Sequence, residues 1–286
     1  MTVALDPTTD RPSTASAPTT TVPAEGTPEE GGTPTRRRLP RLHLARWVSP
    51  MALVALWQLG SFAGVIPERT LPAPNLVLDA AWQLVRDGEL GSALAVSGVR
   101  VLEGLALGLA VGLALGAVVG VSHLADTVLD PPLQIVRALP HLGLIPLFIV
   151  WFGIGETPKI LLIALGVMFP VYLNTASAIR GVDMELLEMA RVFSFGRRRT
   201  ATEIVLPAIA PQVLVGLRQS LALAWLTLIV AEQLNATSGL GFLINNARDV
   251  MRLDVVIVGL VVYGLLGIGT DALVRGFERR ALRHRS

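Results

Sequence analysis

The chain has 286 residues, 52% hydrophobic and only 16% charged, with a net charge of +2 and a mean hydropathy of +0.58. Soluble domains carry about 25% charged residues, so this composition points into a lipid bilayer. The absence of cysteine excludes disulfides, thiol catalysis and Cys-based zinc or iron–sulfur sites. The four histidines (His43, His123, His141 and His284) show no ligand spacing, so neither a metal nor a cofactor is expected.

Residues 1–35 are rich in Pro, Thr, Ala, Ser and Gly without an apolar run. Such a segment cannot bury enough surface to offset its chain entropy, which predicts a disordered cytoplasmic tail. No apolar core follows the first Met, so a secretory signal is not expected. Arg36-Arg37-Arg38 invites a twin-arginine reading, but the following span lacks a cleavage site, and the triplet reads as a positive cytoplasmic flank. The rest, 36–286, reads as one transmembrane domain. A crossing helix needs about 20 apolar residues, and six segments approach this: 47–66, 99–121, 138–155, 160–179, 213–231 and 255–274.

Between the first two spans, Leu76, Val77, Ala80, Ala81, Leu84 and Val85 fall at helical spacing, predicting a helix on the membrane surface with Asn75 as its cap. In the second span, Gly104, Gly108, Gly112, Gly116 and Gly120 recur every four residues. Small residues at this spacing admit a second helix backbone, either within the bundle or at a dimer seam. Pro140 and Pro146 in the third span and Pro170 in the fourth remove backbone donors and predict kinks. A turn at Gly155-Glu156-Thr157-Pro158 joins those two spans.

With the N-terminus inside, 18 Arg and Lys residues fall on the cytoplasmic side; Arg69, Arg86, Arg100, Lys159, Arg248 and Arg252 make 6 outside. This is a positive-inside bias. It explains the basic balance by topology, so no nucleic-acid partner is implied.

The segment 180–207 between the fourth and fifth spans is too charged for hydrocarbon. Met184 to Phe193 reads as a helix with Leu187, Ala190, Val192 and Phe193 as its apolar contacts. Ser194-Phe195-Gly196 breaks it, and Gly196 accepts a positive φ without penalty. Arg197 to Leu206 reads as a second helix ending at Pro207. Two short helices meeting at a bend make a cytoplasmic knob that a soluble partner can grip.

The register of Glu188, Ala190, Ser194, Ile204, Leu206 and Pro207 resembles the cytoplasmic E-A-A loop in the membrane subunits of ATP-binding-cassette importers. That pattern runs Glu-Ala-Ala, a Gly six residues after the Glu, then Ile-x-Leu-Pro. Met189 replaces the first Ala, and Ser194 stands at the Gly. Either Ser tolerates that position or Gly196 carries the strained turn. Further runs resemble permeases importing nitrate, taurine and aliphatic sulfonates: Leu139-Pro140-His141-Leu142-Gly143-Leu144-Ile145-Pro146-Leu147, Trp151-Phe152-Gly153-Ile154, Phe169 to Thr175, Leu226 to Glu232, and Ser238-Gly239-Leu240-Gly241. The likeness covers roughly residues 45 to 280 and is strongest to the aliphatic sulfonate members.

This resemblance implies an all-α polytopic membrane protein with six transmembrane helices and a two-helix coupling loop between the fourth and fifth. It implies a permease subunit forming the path for aliphatic sulfonates or a similar small anion, with taurine, nitrate or a pyrimidine precursor as alternatives. The implied partners are an ATPase subunit dimer, an extracytoplasmic substrate-binding protein and a second permease copy, in the bacterial plasma membrane with both termini cytoplasmic. Lys159, the only lysine, sits between Pro158 and Ile160, so no phosphate-binding loop exists here and ATP hydrolysis is expected on a separate chain. Candidate path residues are Asn174 and Thr175 in the fourth span and Thr227 and Glu232 in the fifth, with interhelical hydrogen bonding as the plainer use of each. Arg218 either attracts a sulfonate or snorkels to the headgroups. An ion-coupled secondary transporter would place acids deep in the spans and show paired repeats. A membrane enzyme would need a catalytic cluster. The sequence displays neither set of features.

Overall fold

The computed structural model describes residues 42–281; the expected disordered tail and the Arg36–Arg38 flank lie outside them. Packing divides the chain into residues 1–47 and 48–286, and the architecture below belongs to the second unit. Every regular element among the described residues is helical. Four stretches are long and apolar enough to cross a membrane: α3 (Glu89–Val121), α6 (Glu156–Arg180), the run Arg197–Leu234, and Leu253–Gly276. The third contains α9 (Leu206–Asn235) and the fourth lies in α11 (Leu253–Ala281). α1 (Leu42–Phe62) contributes a shorter apolar stretch, Val48–Phe62.

The third expected span, 138–155, is not one helix. The chain is already helical from His123, forming α4 (His123–Ala138) with Ser122 Oγ accepting from the Ala125 amide at 3.3 Å. It breaks at Leu139-Pro140, makes a tight turn at His141–Leu144, and resumes as α5 (Ile145–Phe152). The two halves meet at 83°. Leu139 is extended (φ −71°, ψ 136°), as the residue before a proline prefers to be. Pro140 therefore interrupts the span rather than kinking it. Pro146 falls in the first turn of α5, where its missing N–H is not needed. α6 runs without interruption through Pro170.

α2 (Pro74–Arg86) opens on a proline after Ala73, with no side-chain cap. Asn75 is not its cap: its Oδ1 instead accepts from Gln58 Nε2 at 3.3 Å. Ala80 and Leu84 are buried in the main apolar core, so α2 is docked on the bundle.

Register fixes the helix directions. A Cβ at Gly104 would meet Ile163, at Gly108 Val167, at Gly112 Val171, at Gly116 Thr175 and at Gly120 Ile179. Both partners advance by four residues, so α3 and α6 run parallel and in direct contact, and the glycine stripe serves intra-bundle packing. Parallel neighbours require the intervening chain to return across the bundle, which α4 and α5 do in two pieces. α9 is antiparallel to both: Ser220 Oγ donates to Val167 O, Gly216 sits on Pro170 and Asn174, and Ser97 meets Glu232. The core between these helices contains Ile163, Val167, Val171, Ala224 and Leu228. α10 (Leu240–Asp249) packs between α9 and α11.

Candidate functional site: an exposed two-helix knob and a cavity at the broken span

α7 (Met184–Val192) begins where Asp183 accepts from the Glu185 amide at 2.9 Å. Ala190 is buried, whereas Glu188, Met184, Met189, Val192 and Phe193 are exposed. At its end the Ser194 amide donates to Arg191 O at 3.0 Å and the Phe195 amide to Ala190 O at 2.8 Å. This paired closure places the residue after the cap in the left-handed region, where glycine is favoured. That residue is Ser194, with φ 55°. Gly196 is extended (φ −67°, ψ 159°), so it does not carry the strained turn.

The second helix does not end at Pro207. α8 (Arg197–Thr200) passes through a widened turn, Ala201–Val205, into α9, with Pro207 in the first turn of α9. A proline lacks a donor and its ring collides with the carbonyl four residues back; a widened turn just before it relieves both demands. Ile204 is half-buried, while Leu206 and Pro207 are exposed. The knob also contains two residues that the motif pattern did not single out. The Arg199 guanidinium lies 4.0 Å from the Phe195 ring centroid, and Phe193 flanks that ring at 6.3 Å. Glu203 holds Arg199 at 3.0 Å. The Arg199–Glu203 spacing of four was the available signal.

The four expected path residues separate. Glu232 is fully buried. Its Oε1 accepts from Arg100 Nη1 at 2.5 Å and Ser97 Oγ at 2.8 Å, and its Oε2 from the Gly241 amide at 2.8 Å and the Tyr263 hydroxyl at 3.0 Å. Arg100 also reaches Glu156 Oε1 at 2.8 Å and Ser238 O at 2.7 Å, and Lys159 reaches Glu156 at 3.1 Å. Gly239 lies so close that a Cβ there would fall 2.6 Å from Arg100 Nη1. Glu232 thus belongs to an ionic cluster joining α3, α6, α9, α10 and α11 at the end away from the knob. Arg100 and Lys159, counted in the sequence among the outside charges, are buried members of it. Thr175 is buried against Gly116, its Oγ1 without a hydrogen-bond partner among the described residues. Arg218 pairs with an acid: its Nε lies 2.5 Å from Asp271.

Asn174 and Thr227 lead to a cavity of about 260 Å³ at the break between α4 and α5. Its polar lining is Arg137, His141, Asn174 and Gln219. Asn174 Nδ2 donates to Gln219 Oε1 at 3.1 Å, and its Oδ1 accepts from Gln212 at 2.7 Å. Thr227 stands behind His141, with Oγ1 3.3 Å from Nε2. Sequence reasoning missed Arg137, His141 and Gln219, because only the break brings the end of α4 and the His141–Leu144 turn to one cavity with the middle of α6 and α9.

A protein-family profile described as the binding-protein-dependent transport system inner membrane component matches residues 107–283. The chain is 46% identical to the aliphatic sulfonates transport permease protein SsuC of Escherichia coli K12, over 88% of this chain and 95% of that one. It is 42% identical to SsuC of Bacillus subtilis 168, over 83% and 86%. It is 32% identical to the taurine transport permease TauC of E. coli K12, over 80% and 85%. Among solved structures, a chain of an amino acid ABC transporter crystallised with histidines superposes with a TM-score of 0.58 at 18% identity, covering 69% of this chain and 96% of that chain. A chain of the inward-facing MetNI methionine ABC transporter gives 0.53 at 19%, covering 68% and 96%. These two likenesses bear on the fold alone.

Proposed function

Because the chain belongs to the family of binding-protein-dependent transport system inner membrane components, we propose that it is the pore-forming permease of an ATP-driven importer of aliphatic sulfonates. The single observation that carries the coupling half of this reading is the α7–α8 knob. Its α7 face presents Glu188 beside Met184, Met189 and Val192, an amphipathic helix of the kind a groove accepts. The continuous run Arg197–Leu234 links that surface to the bundle. The partner there is an ATPase subunit dimer, with a second permease copy completing the pore and an extracytoplasmic binding protein at the opposite face. Six crossings place both termini in the cytoplasm. The higher identity to the two SsuC proteins than to TauC supports aliphatic sulfonates over taurine.

The test is co-expression with a cognate ATPase and binding protein, followed by uptake of alkanesulfonates, taurine and nitrate into vesicles. Glu188→Lys reverses the charge at the docking face, and Ala190→Pro removes a helix donor at a local cost of about 3 kcal/mol. In both, permease abundance stays near wild type while ATPase co-purification and uptake fall sharply. Full assembly and normal uptake in both variants would overturn the coupling role. Uptake confined to taurine or nitrate would overturn the substrate.

A further inference from the structure

We propose that the cavity at the α4–α5 break is a binding site for a small organic monoanion with an unsubstituted alkyl tail, and that it discriminates against zwitterions carrying an ammonium group. The inference rests on the substrate reading above and adds to it the residues that recognise the substrate. The cavity lies at the level of Gly166 to Asn174, about the middle of α6. Irregular backbone at such depth is tolerated where it is buried in protein or lines a water-filled cavity, and the Leu139–Pro140 break opens on this one. Interrupted spans meeting at the midplane are a general way to build a transport site.

The charges point to an anion. Arg137 is exposed to the cavity and makes no ion pair or hydrogen bond among the described residues, whereas Arg100, Lys159, Arg180 and Arg218 each have a carboxylate partner. No carboxylate lines the cavity. An unpaired guanidinium at membrane depth is costly unless it faces water or a ligand. Gln219 Oε1 accepts from Asn174, which leaves its amide hydrogens as donors in the cavity that Arg137 also lines. A guanidinium and an amide make a fork suited to a sulfonate or carboxylate head. Apart from His141 and Asn174 the remaining wall is apolar, with Leu139, Phe169, Leu173 and Leu223. It suits an alkyl tail and offers an ammonium no carboxylate to pair with, so the ammonium of taurine would be desolvated without a counter-charge.

The test uses the assembled importer, with its ATPase and binding protein, in vesicles supplied with butanesulfonate or taurine. Arg137→Gln is expected to lower butanesulfonate uptake at least tenfold, with Arg137→Lys recovering part of it and Gln219→Leu giving an intermediate loss. Membrane abundance and ATPase co-purification stay at the wild-type level in all three. Leu223→Glu supplies the missing carboxylate and is expected to shift the taurine-to-butanesulfonate uptake ratio at least fivefold towards taurine. Butanesulfonate uptake at the wild-type rate in Arg137→Gln would overturn the site while leaving the substrate reading standing. A wild-type importer that takes up taurine and not butanesulfonate would overturn the substrate reading and the discrimination together. Misassembly of Arg137→Gln, with butanesulfonate uptake at the wild-type rate in both Arg137→Lys and Gln219→Leu, would assign Arg137 a packing role and also overturn the site.

Discussion

Arg100 and Glu232 lie 132 residues apart and form an ion pair 2.5 Å long, with side-chain exposures of 3% and 0%. Arg100 spends its three nitrogens on Glu232, Glu156 and Ser238, a division that a lysine ammonium, with no planar fork, cannot reproduce. Removing one member of a buried pair leaves an uncompensated charge and costs about 3–5 kcal/mol. Arg100→Met should therefore lower the thermal midpoint of the purified permease markedly and reduce its yield. Adding Glu232→Gln should restore part of the loss. An unchanged midpoint in Arg100→Met would show that the cluster contributes nothing to the fold.

The α3–α6 contact predicts a graded series. A methyl at Gly108 would lie 2.6 Å from Ala164 O and one at Gly112 2.7 Å from Met168 O. Backbone cannot yield as a side-chain tip can, so Gly108→Ala and Gly112→Ala should each destabilise by about 1–3 kcal/mol. Gly98, on the same helix, has nothing within 4 Å of the added methyl, so Gly98→Ala should be neutral or stabilising by about 0.5–1 kcal/mol from helix propensity. Thermal unfolding in nanodiscs ranks the three.

Ser194 pays a left-handed backbone penalty of about 1–2 kcal/mol that glycine avoids. Ser194→Gly should strengthen the end of α7, slowing hydrogen exchange at the Ser194 and Phe195 amides, whose bonds close the helix. Ser194→Val should speed it. Gly196→Ala should change little, since its extended backbone suits any residue.

The chain contains no cysteine, so single replacements report topology without background. Cysteines at Glu68 and Asp249 should react with an impermeant maleimide from outside intact cells. One at Gly196 should react only after permeabilisation. External labelling at Gly196 would overturn the proposed orientation and with it the docking of the ATPase.

Long uncharged runs made α3, α6 and α11 readable, and the polar interruption with its periodic apolar residues made α7 readable. The bent pair α4–α5 was not, because Asp126, Asp130, Pro131 and Pro132 make α4 read as polar connecting chain. Those acids are satisfied by distant partners: Arg180 lies 2.5 Å from Asp126, and the Tyr172 hydroxyl donates to Asp130. Local hydropathy cannot register such pairs. The same holds for Glu232, whose residue type suggested a path and whose five-helix enclosure shows a brace. Asn174 and Thr227 were singled out by their polarity at depth. Arg137 and Gln219 needed the fold, since only there do the end of α4 and the middle of α9 line one cavity.

The glycine stripe between α3 and α6 has a mechanical consequence. Five contacts at a four-residue pitch span about 24 Å of helix, with side chains or backbone of α6 seated against each glycine. Two rods meshed like this over such a stretch neither slide by less than a full notch nor bend independently there. A push delivered near Ile179 therefore reaches Gly104 and the neighbouring start of α6 as rigid displacement, with little absorbed on the way. Whatever changes shape must do so where the meshing stops. Among the described residues the crossing segment with a sharp break is α4–α5, whose two halves meet at 83° across Leu139–Pro140 and the His141–Leu144 turn.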